Sequence, residues 1–362
     1  MDRFLKITLL GLSHGLSDCA AGFMIGTLPA WTGGELLEPA MLVLLYNALA
    51  FGGQVPAGMV VDRIGNPKLV VVTSLAVVAI ALAIFPVAPA ISIALAGIAG
   101  AFFHVSGGML ALLAFPGSTV GAGLFAAPGV MGITLGAYLA WAGTPALVGL
   151  GITAAGFTAL LLVMKMPFAS APKPTGKDEA FEWHDFLMIV LLMAIALRSA
   201  IWNLMEAVHT GDHELLLWMG AAAMAGKVAG GFGAHYIGWR RYATAALLVA
   251  APLLTFGGAQ EWALLSGIFL LQSATPAAVL GMWRLMPRMP ATAVGMTFGL
   301  AIALGGVPMM VGWEPPGWAI LLVLPAAGVG YWVAAGWKKD TISNFHDHNP
   351  AFSSPCLPSS SP

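Results

Sequence analysis

FLKITLLGLSHGLSDCAAGFMIGTLPAW, residues 4–31, is long enough to cross a bilayer as a helix, and it carries His14 and Asp18 near its middle. Residues four apart stand one turn above the other on the same helix face. An ionisable carboxyl at the bilayer centre costs about 2.5–3.5 kcal/mol on insertion scales. The span must therefore turn this pair toward protein or water, and the other helices must build a polar interior around it.

Working outward, the whole chain of 362 residues is 59% hydrophobic and 9% charged, with a mean hydropathy of +0.87. Soluble domains carry about 25% charged residues. The composition therefore predicts a polytopic membrane protein embedded in a lipid bilayer. A formal net charge of −1 gives no reason to expect a nucleic-acid partner. The two cysteines, Cys19 in the first span and Cys356 in the tail, imply no disulfide framework. The flank MDRFLK before a span of full length reads as a retained N-terminus rather than a cleaved signal.

Apolar runs predict twelve transmembrane helices at roughly 4–31, 39–61, 69–88, 91–113, 119–142, 145–166, 185–206, 214–237, 241–258, 261–283, 292–312 and 317–337. Gly132 and Gly136 in span 5 form a small-xxx-small pair suited to close helix packing. The Pro-rich, then charged, stretch 167–184 reads as a cytoplasmic linker. It divides an N-terminal six-helix bundle, 1–166, from a C-terminal one, 185–339. The Ser/Pro-rich tail 340–362 is expected to be disordered. With both termini placed in the cytoplasm, all but two of the fifteen Lys and Arg fall on the cytoplasmic side and none in an outer loop. The two exceptions, Arg198 and Lys227, lie within spans.

Two loops repeat one pattern 173 residues apart. The first is Gly58-Met-Val-Val-Asp62-Arg63-Ile-Gly65-Asn-Pro-Lys68, and the second is Gly231-Phe-Gly-Ala-His235-Tyr-Ile-Gly238-Trp-Arg240-Arg241. A half-length repeat in a membrane protein points to two similar bundles. Asp62 can accept bonds from amides at a helix start, and the glycines permit a tight turn. Gln54 and Lys227 occupy matching places in the two halves.

The 58–68 loop resembles the signature loop between helices 2 and 3 of the major facilitator superfamily. LSHGLSD in span 1, GIAGAFFHVSGG in span 4, FAAPGVMGITLGAYLA in span 5, ALRS in span 7 and SATPAAVLGMWRLMP in span 10 are similar to the fosmidomycin-resistance-like drug exporter branch. The resemblance implies two pseudo-symmetric six-helix bundles and a monomeric secondary transporter without cofactor or enzymatic activity, in a bacterial inner membrane. The chain departs from the branch at Val105 and Ser106, where Pro and Glu are typical after Phe-His. It departs again at Ala126 and Ala137 in span 5 and at His235.

Within the membrane, a histidine of ordinary pKa about 6.5 beside a carboxylate removed from water can exchange protons. His14 and Asp18 are thus the leading proton-coupling candidates, and in this fold His104 faces the same cavity. Arg198, Trp202 and Glu206 form one stripe on span 7, with Asn203 beside it. An Arg does not lose its proton in a protein, so Arg198 is a fixed positive charge, able to hold an anion or to serve Asp18 as counter-ion. Asn47, Tyr46, Gln272, Ser273 and Thr275 are candidate hydrogen-bonding liners. Lys227 is expected to snorkel toward the cytoplasm. Pro276 is expected to break span 10. Gly58, Asp62, Arg63, Gly65, Lys68, Gly231, His235 and Arg240 form the expected gating loops. The nineteen Met and eight His show no ligand spacing of a dedicated metal site. The spans contain no Gly-x-Ser-x-Gly and no His-Glu-x-x-His, so no hydrolytic centre is expected. The expected activity is proton-coupled antiport, an efflux of a small polar or anionic compound. Uptake of an organic anion, a metal ion or a metal complex, and a non-transporting receptor or assembly role, are the alternatives.

Overall fold

The computed structural model describes residues 3–30, 38–143, 183–257, 260–312 and 315–334, with short pieces between 151 and 165. Most of the expected sixth span, the linker and the tail lie outside the described residues. The described helices are α1 (Arg3–Thr27), α2 (Pro39–Ile64), α3 (Pro67–Ile84), α4 (Pro89–Ala114), α5 (Val120–Trp141), α6 (Trp183–Val208), α7 (His213–Ile237), α8 (Trp239–Phe256), α9 (Glu261–Leu285), α10 (Pro290–Met310) and α11 (Ile320–Ala334). Helices α6 to α11 correspond to the expected spans 7 to 12. Among the described residues, nine helices are long and apolar enough to cross a membrane. The other two, α1 with 25 residues and α8 with 18, pack among them. The described residues form helices and their connections only, and the chain is an integral membrane protein.

Local sequence sets the helix ends. Pro39, Pro67, Pro89 and Pro290 open their helices, where a missing amide hydrogen costs nothing. The side chains of Asn66 and Asp212 accept from the amides of Leu69 and Leu215. Gly65, at φ 67°, closes α2 in the left-handed conformation that glycine adopts without penalty. Large apolar side chains such as Leu69, Leu248 and Val329 stand on the outside, which is where lipid would meet them.

Helix α1 lies along α5, and glycines let the two backbones meet. A Cβ on Gly22 would strike the Ile133 carbonyl, and one on Gly132 the Gly15 carbonyl. The pair Gly132 and Gly136 thus serves packing, as its spacing suggested. Contacts between the first five and the last six helices run chiefly through α2 against α10 and α5 against α7. Two helices depart from regular α geometry where they meet. Residues Ala48–Gly52 of α2 and Met296–Leu300 of α10 each form a π turn, and the two turns touch. Helix α9 is interrupted at Ala274, just before Pro276. The proline break falls where the sequence placed it.

Candidate functional site: a polar cavity closed at one end

Asp18 stands at the centre of a buried cluster. Its carboxylate lies 3.1 Å from His14 Nε2 and 3.3 Å from His104 Nε2. His14 and Asp18 share one face of α1, as their spacing requires, and His104 reaches them from α4. His14 Nδ1 is 2.9 Å from the carbonyl oxygen of Phe125 and its ring stacks on the Phe125 ring. Gln54 donates to the Ala50 carbonyl and stands 3.5 Å from His104 Nδ1. Gly129 of α5 leaves the space that the pair occupies. A Cβ there would lie 2.5 Å from His14 Nε2 and 2.9 Å from Asp18 Oδ2. Gly129→Ala is therefore expected to destabilise the fold by about 1–3 kcal/mol through overpacking, read as a lower thermal unfolding temperature of the purified protein. An unchanged temperature would mean that the pair moves aside freely.

Arg198 on α6 is 4% exposed. Its Nη1 donates to Gln272 Oε1 and its Nη2 to Ser199 Oγ, both at 3.3 Å. Thr275 Oγ1 also donates to Gln272 Oε1, at 3.2 Å. Among the described residues no carboxylate comes within ion-pair distance of Arg198. The Arg198–Asp18 pairing considered from the sequence is thus not formed here, because two histidines already flank Asp18. Arg198 Nε is a buried donor with no hydrogen-bond partner among the described residues.

Both groups open onto a cavity of about 730 Å³. Its walls include His14, Asp18, Asn47, His104, Arg198, Trp202, Asn203, Glu206 and Gln272, all of which sequence reasoning had marked. Lys227 also faces this cavity; it does not snorkel away, because its helix α7 packs against α5 with Lys227 turned inward. Tyr46 and Ser273 do not line it. Tyr46 is enclosed at 2% exposure, and the Ser273 hydroxyl donates to the Leu270 carbonyl of its own helix. Gln54 and Phe298 contribute to the wall and were not placed there beforehand.

One end of the cavity is shut by contacts between the two sets of helices. Asp62 at the end of α2 accepts from the amides of Ala291 (3.0 Å) and Thr292 (2.9 Å) and from the Thr292 hydroxyl (2.7 Å). These amides begin α10, so the carboxylate meets the positive end of a helix dipole. The other repeat does the same with weaker chemistry. His235 Nδ1 lies 3.1 Å from Ser118 Oγ, and Thr119 Oγ1 donates to the Gly231 carbonyl at 2.6 Å. Thr119 and Thr292 are themselves 173 residues apart, so the repeat contained the signal for these partners. Gly58 packs on Thr292, since an added Cβ would approach its Cα at 2.7 Å. Arg63 is exposed and Lys68 half-buried. Arg240 lies over the Trp332 ring at 3.9 Å. At the opposite end the wall residues Leu44, Val307 and Met310 are exposed, so the cavity opens there.

Three charge-assisted bonds hold the Asp62 closure, each worth about 1.5–3 kcal/mol when satisfied. Asp62→Ala is expected to open that end. Ala293, wholly buried behind the closure, is the reporter. A cysteine at Ala293 should react with a membrane-impermeant maleimide at least about tenfold faster in the Asp62→Ala background. Equal rates would remove Asp62 from the closure.

No protein-family model and no curated protein matches the chain. Solved structures do match. The chain is similar to the E. coli fucose:proton symporter FucP, with TM-score 0.68 and 12% identity over 92% of this chain and 98% of that one. It is similar to FucP in the outward conformation, with TM-score 0.71 and 15% identity over 93% and 100%. It is also similar to the human organic anion transporter MFSD10 (TETRAN), with TM-score 0.62 and 15% identity over 92% and 99%. At these identities the likeness is one of fold, shared with a structure described as a major facilitator superfamily transporter.

Proposed function

We propose that this chain is a secondary transporter that works by alternating access, exchanging protons through His14, Asp18 and His104 while a small anionic or polar compound occupies the same cavity against Arg198. It has no enzymatic step. The observation that carries the reading is the pairing of two unlike groups in one cavity of about 730 Å³: a carboxylate held between two imidazoles, and a buried guanidinium without a carboxylate partner among the described residues. A buried cation without a counter-ion is costly, and an anion arriving from outside would supply one. The closure by Asp62 supports an alternation between two ends, because it is built from bonds that can break between preformed helices. The LSHGLSD and span 10 resemblance favours an exporter of the fosmidomycin-resistance-like branch, with antiport of protons. It also favours a bacterial inner membrane with both termini in the cytoplasm. Residues 1–166 and 185–339 are the proposed moving bundles, joined by 167–184, and the working unit is a monomer.

The fold-sharing proteins include a fucose:proton symporter and an organic anion transporter, which supports coupling to protons and an anionic cargo in this chain. The test is reconstitution into liposomes with a luminal pH dye and a panel of small carboxylates, phosphonates and sugars. An anion that moves protons in the direction of exchange supports export. Movement of both in one direction makes the chain an importer. If no solute moves protons or itself, the transport reading fails and a receptor role replaces it.

A further inference from the structure

The cluster around Asp18 has a feature that hydrogen bonding leaves unexplained. His14 Nδ1 is placed to donate to the Phe125 carbonyl at 2.9 Å. A neutral imidazole that donates from Nδ1 presents a bare lone pair at Nε2. That Nε2 is buried and has no hydrogen-bond partner among the described residues, although Asp18 Oδ2 is only 3.1 Å away. Two lone pairs at this distance repel unless something positive lies between them. The two atoms are close but not aligned on one another, as ligand atoms are when each points at a common centre.

The third donor completes the pattern. His104 Nε2 lies 3.5 Å from the same Asp18 Oδ2, at the outer limit of a hydrogen bond, and 3.3 Å from Oδ1, and one donor atom from each of the three residues falls within 4.8 Å of the others. A metal ion bonded to imidazole nitrogen and carboxylate oxygen at about 2.0–2.2 Å in tetrahedral geometry sets its ligand atoms about 3.3–3.6 Å apart. The two spacings to Asp18 Oδ2, 3.1 and 3.5 Å, fall near that edge length. All three residues are buried, at 4%, 9% and 6% exposure. The surroundings hold the donors as second partners of metal ligands do. The Phe125 carbonyl orients His14, and Gly129 keeps the space beside His14 and Asp18 free of a side chain. Gln54 Oε1 is buried without a partner, and an amide rotation would turn it toward His104 Nδ1 at the cost of the bond to Ala50.

We propose that His14, Asp18 and His104 form a binding site for one divalent transition-metal ion of the zinc and cobalt class, with its remaining coordination position open to the cavity. Two imidazoles and one carboxylate suit such ions and not calcium or magnesium, which take oxygen ligands. The open position faces a cavity that also contains Arg198 and Lys227, so an anion suits it better than a second cation. The inference goes beyond the transport reading, because it rests on the donor geometry; a bound ion occupies the lone pairs that protons would use, so ion and protons compete for these three residues.

The test uses the purified full chain, stripped with chelator and titrated with Zn²⁺ by calorimetry. Saturable binding of a single ion per chain is expected. His14→Gln and His104→Gln should each weaken it at least about tenfold. His209→Gln with His213→Gln, at the surface, should leave it unchanged. Absence of saturable binding would overturn the proposal. So would undiminished binding in the His14→Gln/His104→Gln variant, or loss of binding in the surface variant. If the cavity variants do not fold, Co²⁺ in the unaltered chain decides. Intense visible absorption of a four-coordinate site supports the proposal, and the weak spectrum of a six-coordinate ion refutes it. Anion-driven proton flux in chelator-treated liposomes reports on the transport reading separately.

Discussion

Asp18→Asn is expected to reduce substrate-driven proton movement to that of empty liposomes while substrate-for-substrate exchange continues. The substitution keeps the size of the side chain and removes its charge and its proton. Asp18 is the carboxylate that both His14 and His104 face, at 3.1 and 3.3 Å, whereas the cavity's other acid, Glu206, forms no ion pair with either histidine. Exchange of one substrate molecule for another needs no net proton transfer, which separates lost coupling from lost folding. If the variant moves protons at the unaltered rate, the coupling assignment is wrong. If it loses both activities while remaining monodisperse, Asp18 serves the substrate instead.

The second large effect concerns Arg198. Arg198→Gln is expected to weaken binding of an anionic substrate by about 2 kcal/mol or more, or roughly 30-fold, since a buried charge-assisted contact is lost. Arg198→Lys should fall between, because it keeps the charge and loses the planar fork. Gln272 and Ser199 hold the guanidinium in place, so the fork is oriented before any substrate arrives. Substrate-dependent thermal shift and the Michaelis constant for counterflow both read this effect. An unchanged constant for every transported anion would assign Arg198 to the framework of the bundle.

The sequence exposed some of this directly and hid the rest for physical reasons. His14 and Asp18 are legible as a pair because helical spacing stacks them within one span. The stripe from Arg198 to Glu206 is legible in the same way. His104 lies 86 residues from Asp18, and only the packing of α1 beside α4 brings the two together. For this reason spacing along the chain gave no sign of three metal-type donors in one place. Asp62 was recognised from its loop, yet its partners Ala291 and Thr292 lie some 230 residues away. They could have been approached through the repeat, because Thr119 and Thr292 carry the same offset as Asp62 and His235. Arg240, in the second copy of that loop, lies over Trp332, a contact that a basic residue near any exposed indole can make and that the loop pattern does not signal. The paired π turns had no local signature, since neither stretch contains proline or a run of β-branched residues.

The account depends on a cavity that is exposed first at one end and then at the other. The direct measurement is the distance between spin labels across each end of the cavity, in a chain with Cys19 and Cys356 replaced. Leu69 and Pro287 lie at the Asp62 end, and Leu44 and Met310 at the open end; all four are exposed. With Asp62→Ala added, the Leu69–Pro287 distance should lengthen while the Leu44–Met310 distance shortens. Distances that stay fixed, or that change in the same sense at both ends, would contradict it.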